Sequence, residues 1–423
     1  MKAELRAAVA QINILPRVLD AAEAALAMAI PAWSLREERG LAVSAKVARA
    51  FGAAELHDGH LAGTTGYGYH DRGREAYERL IAAIMDAEAA LARVQIASGT
   101  QAIVATLAAL LAPGSRLCSA TGRPYDTLRL ALVDHPHSVC SLGVAYDEVP
   151  WTSGAQPSDA DLAAALDRAP DVVFVQRSRG YASRASLDVA AIESLVRAAR
   201  ERAPNAVIVV DNCYGELVEP LEPCAVGADA VVGSLIKNPG GGVAQSGAYV
   251  AGRNALVERV AERMFAPGLG AAIGPTLGAT RTLFAGLHRA PRAVVESLKI
   301  MDFFAALFAQ LGYETEPACG APRTDTIQSI RLGSPERLLA FARGLQRLLP
   351  VNSRATPIPG AVPGYADPVL MADGAFISGS TMELSCDAPL REPFEVYVQG
   401  GLDSGHGILA AVSAANEVVS GPA

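Results

Sequence analysis

The stretch DAVVGSLIKNPGGG, Asp229–Gly242, decides how the chain folds. Its opening DAVVGS reads as a short parallel strand buried on both faces. A lone lysine, Lys237, follows, and then come Asn-Pro and three glycines, so an amine sits where a buried strand ends and the backbone turns sharply. Upstream, AVIVVD over Ala206–Asp211 repeats the buried-strand pattern and closes on a carboxylate. In open α/β sheets, ligands bind beyond the carboxyl ends of the strands, so Asp211 and Lys237 are expected to face one crevice.

A lysine able to form a Schiff base and an aspartate able to pair with a pyridinium nitrogen are the two protein groups that pyridoxal 5'-phosphate requires. A lone lysine at a turn is more often a solvated surface residue. Its combination with Asp211 and the glycine run favours the reactive reading. A P-loop is excluded by order, because there the glycines precede the lysine and here they follow it. No GxGxxG opens a helix, which argues against a dinucleotide enzyme.

Moving outward, RVQIASGTQAIVATLAALLAPG reads as a short strand to Ala97, a Ser-Gly-Thr turn and a helix ending at Pro113-Gly114. Helix N-termini bind phosphate through backbone N–H groups, so Ser98, Gly99 and Thr100 form a candidate phosphate cradle; an ordinary N-cap is the alternative. Tyr125 in TGRPYDT is placed to stack on a flat cofactor or to pack on its own helix. QRSRGYASR, Gln176–Arg184, carries three arginines at a strand end. It reads as a solvated cationic turn or, through Arg179, as a clamp for a substrate carboxylate.

Strands at Arg116–Ser119, Val144–Val149, Asp171–Gln176 and Ser246–Val250 alternate with helices, including Asp161–Asp167, Leu187–Arg202 and Asn254–Arg263. This predicts an α/β fold with a mostly parallel sheet and helices on both faces. Residues 7–51 look helical, with interruptions at Pro16 and Pro31, and Arg74–Ala92 looks helical again. Between them HDGHLAGTTGYGYHDRG is a Gly-, His- and Tyr-rich loop, functional or a plain linker. A long helix over Ala279–Leu311 leads to a smaller α+β region, with strands near Thr326–Arg331 and Ala375–Glu383 and helices near Pro335–Leu348 and Gly405–Asn416. The expected division is a helical arm (1–65), a large cofactor-binding domain (66–295) and a small C-terminal domain (296–423).

At 423 residues the chain is ample for a sizeable core, and its net charge of −8 argues against nucleic-acid partners. Six cysteines without CxxC spacing read as reduced thiols with no metal site. Cys213 either lines the site or, more in keeping with its type, is a buried structural thiol. The N-terminus lacks a signal-peptide pattern, and no uncharged stretch of about 18 apolar residues suggests a membrane span, so a cytoplasmic location is expected.

The blocks TGYGYHDRGR, IASGTQAI, TGRPYDTL, QRSRGY, VDNCYGELVEP, GADAVVGSLIKNPGGG and YVQGGL, spread from Leu61 to Ile408, resemble the methionine gamma-lyase-like family, also called aluminium-resistance proteins. These are related to the Cys/Met-metabolism enzymes of pyridoxal-phosphate fold type I. The resemblance implies that Lys237 forms the internal aldimine, Asp211 pairs with the pyridine nitrogen, Ser234 and the amides of Gly99 and Thr100 hold the phosphate, and Tyr125 stacks on the ring. It also implies a homodimer or homotetramer with shared active sites, in which Tyr67, Tyr69, Arg72 and Arg74 are the candidates to reach a neighbour's phosphate. For the substrate carboxylate it favours Arg391 ahead of Arg179. The lyases often carry Ser-x-Thr-Lys; Ile236 replaces that threonine here, which places more of the phosphate on other donors.

The implied activity is a lyase that cleaves a C–S or similar bond of an amino acid through aldimine and quinonoid chemistry, giving keto acid, ammonia and thiol, with Tyr125 assisting as acid. An aminotransferase or side-chain replacement enzyme, or a non-catalytic binding or regulatory protein, are the alternatives. Substrate, leaving group and β- against γ-elimination are not written in the sequence.

Overall fold

The computed structural model describes residues 2–9, 12–151 and 156–421. Helices α1 (Lys2–Val9), α2 (Pro16–Ala53) and α3 (Arg72–Ile84) lead to β1 (Ala89–Arg93). There follow α4 (Gly99–Leu110), β2 (Arg116–Ser119), α5 (Asp126–Arg129), β3 (Ala145–Glu148), α6 (Asp159–Leu166), β4 (Val172–Gln176), α7 (Val189–Arg202), β5 (Val207–Asp211), β6 (Ala230–Ser234), β7 (Ala248–Gly252) and α8 (Asn254–Met264). The chain continues through α9 (Thr280–Gln310), β8 (Glu314–Glu316), β9 (Ile327–Arg331), α10 (Pro335–Gln346), β10 (Val369–Ala372), β11 (Ser385–Pro389), β12 (Glu395–Gln399) and α11 (Ser404–Ser420).

Packing divides the chain into two units: Val43–Ala290, and Met1–Ala42 together with Pro291–Ala423. The described residues up to Ala42 therefore pack with the C-terminal region, whereas the sequence reading set residues 1–65 apart as an arm and began the small domain at 296.

The Val43–Ala290 unit holds a seven-stranded sheet in the order β1-β7-β6-β5-β4-β2-β3. Strands β3, β2, β4, β5 and β6 run parallel; at one end β7 runs antiparallel to β6, and β1, antiparallel to β7, closes the sheet in the direction of the others. β4 and β6 are buried along their whole length, as continuous β-branched runs require. Val172, Phe174, Val209, Val232 and Val250 share one core with Ile103 and Leu107 of α4 and Val257 and Val260 of α8. The strand expected at residues 93–97 lies earlier, at Ala89–Arg93. Met85 closes α3, Asp86 takes a left-handed φ of +56°, and buried Arg93 anchors β1 to Glu78.

In the other unit, β10-β11-β12-β9-β8 form an antiparallel sheet. Leu26 and Ala29 of α2 join Phe303, Phe304 and Phe308 of α9, Phe341 of α10 and Val412 of α11 in its core. Buried Asp302 pairs with Arg36 and Arg323, each at 2.9 Å, and these two cations outweigh burial to hold its carboxyl below the usual range. Two expectations are corrected here. Pro31 does not interrupt α2: it lies on an exposed stretch of the helix, where the carbonyl it leaves unpaired can be hydrated. Residues 375–383 form turns, and the strands flank them as β10 and β11. The helix α2 is also long and apolar enough, by length and composition, to cross a membrane; about a third of its most apolar window is buried within the protein.

Candidate active site

Three neighbouring parallel strands deliver the site. β4 ends at Gln176, β5 at Asp211 and β6 at Ser234, with Gln176 paired to Asp211 and Asp211 to Val232. Beyond Ser234 the chain turns: the Lys237 N–H donates to the Ser234 carbonyl at 3.3 Å, and the Gly240 N–H donates to the Lys237 carbonyl at 2.8 Å. Gly241 has a φ of +52°, and a Cβ there would fall 2.4 Å from the Gly286 carbonyl oxygen, so the turn needs glycine on conformational and steric grounds alike.

Lys237 is half-buried, and its Nζ lies 3.8 Å from the centre of the Tyr214 ring. Asp211 is buried, and its Oδ1 accepts the Cys213 N–H at 3.2 Å. Burial raises the Asp211 carboxyl above its usual range, with Lys237 and the Cys213 N–H pulling the other way. Burial also disfavours the Lys237 ammonium, but Cys213, Tyr214, Asp211 and Tyr125 around it outweigh that and hold it well above the usual lysine range. The amine and the carboxyl singled out in the sequence thus feel each other's charge.

The first turn of α4 meets these strand ends. A Cβ added to Gly99 would lie 3.4 Å from the Cys213 sulfur and 3.5 Å from Ser234 Cβ. Ser98 is the N-cap, its Oγ accepting the Gln101 N–H at 3.1 Å, so the ordinary capping role is filled while the positive end of the helix still faces Ser234. Thr100 Oγ1 lies 3.1 Å from the Tyr125 hydroxyl, and the Tyr125 N–H donates to Gln176 Oε1 at 3.2 Å. Burial, then the charges of Asp211 and Cys213, push the Tyr125 phenol well above its usual range, so it is a neutral proton donor. Cys213 is buried, as its type suggests, and also borders Gly99.

Three residues at the site went unremarked in the sequence: Gln176, Tyr214 and Glu216. Glu216 is fully buried; Tyr249 Oη donates to its Oε1 at 3.2 Å, and its Oε2 finds no hydrogen-bond partner. Burial, reinforced by Glu222 and Asp211 and opposed by its own N–H and by Lys237, pushes this carboxyl up to about 8. Nothing in GELVEP separates it from a surface glutamate, because the burial is made by β7, more than 30 residues downstream.

The arginines of QRSRGYASR are not a solvated turn. Arg177 is fully buried, donating to Asn212 Oδ1 at 2.7 Å and Glu219 Oε2 at 2.6 Å. Arg184 stacks on Trp151 at 4.5 Å and donates to the Gln176 and Ser178 carbonyls. Arg179 is buried as well, in a turn whose Gly180 abuts Tyr125. Arg391 belongs to the other unit, where it pairs with Asp367 at 3.3 Å.

The Gly- and Tyr-rich loop is built, not a plain linker. Asp71 accepts from the Thr64 and Thr276 hydroxyls and from the Arg74 N–H. Arg74 is buried and spends its guanidinium on the carbonyls of Gly68, Gly274 and Ala272. Within this chain, then, Arg74 shapes the loop. Tyr67 and Tyr69 are exposed and stack on each other at 5.6 Å, and Arg72 beside them is exposed too.

With this geometry in view, the sequence profile of methionine gamma-lyase matches residues 18–419. The chain belongs to the methionine gamma-lyase family. It is 40% identical over 378 residues to the Bacillus subtilis protein YnbB, covering 88% of this chain and 90% of that one. A Listeria monocytogenes protein described as involved in aluminium resistance superposes with a TM-score of 0.91 at 38% identity, over 94% of this chain and 99% of its own. A carbon-sulfur lyase involved in aluminium resistance from Clostridium novyi gives 0.91 at 33% identity, over 97% and 98%. The Escherichia coli protein YhfS, described as pyridoxal-5'-phosphate dependent, gives a TM-score of 0.61 at 18% identity over 91% of this chain and 96% of its own, a likeness of fold. The fold is fold type I of the pyridoxal-phosphate enzymes.

Proposed function

We propose that this family member is a pyridoxal-phosphate-dependent carbon–sulfur lyase acting on a sulfur-containing amino acid. The observation that carries the reading is the meeting of three groups at adjacent strand ends: the Lys237 amine, the buried Asp211 carboxyl, and the N-terminus of α4 at Gly99 beside Ser234. The cofactor fits this donor set. The missing side chain at Gly99 lets the first turn of α4 come close to Ser234, a helix N-terminus favours a phosphate's charge, and a buried acid is suited to a cationic ring nitrogen. Lys237, Asp211, Ser234, Gly99 and Thr100 are the residues that would hold it, with Tyr125 beside them. The carbon–sulfur specificity is supported by the description of the Clostridium novyi relative.

When bound, pyridoxal phosphate supplies an electron sink for the pair released at the substrate Cα. The rest falls to the chain. Lys237, once its amine is free, is the base that takes the Cα proton. Asp211, ionised beside a cation, keeps the proton on the ring nitrogen. Tyr125, neutral and hydrogen-bonded to Thr100, can hand its proton to a departing thiolate. The reading also takes the working unit as two or more copies of the chain, with exposed Tyr67, Tyr69 and Arg72 reaching a neighbour's site.

The test is a panel of amino acids assayed for thiol, ammonia and keto acid. All three are expected from a sulfur amino acid with the wild-type protein, and none with Lys237→Ala, which also loses the cofactor's visible absorbance. Keto acid without free ammonia would instead mark an aminotransferase, and turnover retained in Lys237→Ala would overturn the assignment.

A further inference from the structure

We propose that Tyr214 is a positioning residue for Lys237: the face of its ring is the seat on which the free amine rests. The inference deepens the functional reading and rests on Lys237 being the reactive amine. The Lys237 Nζ lies 3.8 Å from the centre of the ring, well inside the range of a cation–π contact. The backbone that presents the ring is unusual. Tyr214 has a φ of +71°, a left-handed conformation that a tyrosine seldom adopts without being held there.

What holds it is on both sides of the contact. The Gly215 N–H closes the turn onto the Asn212 carbonyl at 3.0 Å. Asn238, the residue immediately after the lysine, donates from Nδ2 to the carbonyls of Tyr214 at 3.0 Å and Glu216 at 2.9 Å. One amide therefore locks the turn that carries the lysine to the turn that carries the ring. The strained residue, the amine and the link between their two turns form one built feature, and no part of it is needed merely to end β5.

The ring does two things for the amine. It confines a flexible four-carbon side chain near the strand ends, and its electron-rich face favours the ammonium over the free base. The other groups that act on Lys237 are Asp211 at the end of β5, Cys213 and Glu216 beyond it and Tyr125 before α5, so the ring acts beside two carboxyls, one thiol and a second phenol. Tyr214 meets the amine itself, through its ring face.

The test uses cofactor-free protein, so it is independent of turnover. Lys237 is acylated in competition with a reference amine across pH 7–10 and the labelled peptide is read by mass spectrometry. Over this range the amine is mostly protonated, so the labelling rate relative to the reference amine follows the small fraction of free base on Nζ. Removing the ring with Tyr214→Leu is expected to raise that relative rate about 5- to 30-fold. Tyr214→Phe, which keeps the ring face, is expected to restore the wild-type rate. Lys46 and Lys299 serve as internal controls for the fold.

If Tyr214→Leu perturbs folding, phenylalanines carrying one to five fluorines at position 214 preserve the ring's shape while draining charge from its face, and labelling is expected to climb stepwise with fluorine number. A flat fluorine series, or a Tyr214→Phe rate raised as far as that of Tyr214→Leu, overturns the proposal. Failure of the wild-type protein to take up pyridoxal phosphate would overturn the functional reading instead and leave the labelling result standing.

Discussion

Glu216 makes a prediction that can be worked through from its surroundings. An unfolded chain ionises this carboxyl near 4.5, whereas its burial against Tyr249 moves it up to about 8. Between those values the folded protein keeps a proton that the unfolded chain has lost, so stability must fall as pH rises. Each pH unit in the window is worth about 1.4 kcal/mol, so this single group removes about 5 kcal/mol between pH 4.5 and 8. Glu216→Gln is neutral throughout and keeps an oxygen for the Tyr249 hydroxyl, but it sets an amide where Oε2 has no partner, a cost of about 1–3 kcal/mol. The variant is therefore expected to be slightly less stable than wild type at pH 5 and clearly more stable at pH 8.5. Urea unfolding of the cofactor-free proteins at half-unit pH steps gives the difference directly, and subtracting one curve from the other cancels the contributions of other buried acids. A difference that does not change with pH would refute the idea that this acid is neutral in the fold.

Three further outcomes are expected. Asp302→Asn leaves Arg36 and Arg323 without their carboxylate in a buried setting and should cost about 3–5 kcal/mol, read from thermal or urea unfolding. Gly99→Ala places a methyl group at ordinary contact distance from Cys213 and Ser234, so the apo-protein should melt as before while pyridoxal phosphate binds at least about tenfold more weakly, as titrated by absorbance. If sites are shared between copies, mixing Lys237→Ala with a Tyr67→Ala, Tyr69→Ala double variant should recover part of the activity that each lacks alone; no recovery places those tyrosines outside the partner's site.

The strand ends that carry the proposed reactive groups were legible because their signals are local. A β-branched run that stops on a charged residue marks both a buried strand and its carboxyl end, and this pattern occurs at Asp211 and again, one turn beyond Ser234, at Lys237. Ser98-Gly99-Thr100 was legible as a helix start for the same reason. What could not be read depends on distant partners. Arg177 is buried only because Asn212 and Glu219 come to meet it, Arg184 because Trp151 does, and Glu216 because Tyr249 does. Pro31 reads as a helix breaker, and whether it breaks one depends on which side of α2 faces solvent. The left-handed Tyr214 carries no mark at all in DNCYGE, since its conformation is imposed by Asn238 from the next turn.

The loop pinned by Asp71 and Arg74 has a bearing on the proposed docking of a second copy of the chain. The Thr64 hydroxyl and the Gly68 carbonyl are engaged from within by Asp71 and Arg74, so the paired rings of Tyr67 and Tyr69 stand on a scaffold whose shape is settled at folding. Whatever docks there meets a preformed relief and loses little freedom in fitting it, which favours encounter between rigid bodies over mutual adjustment.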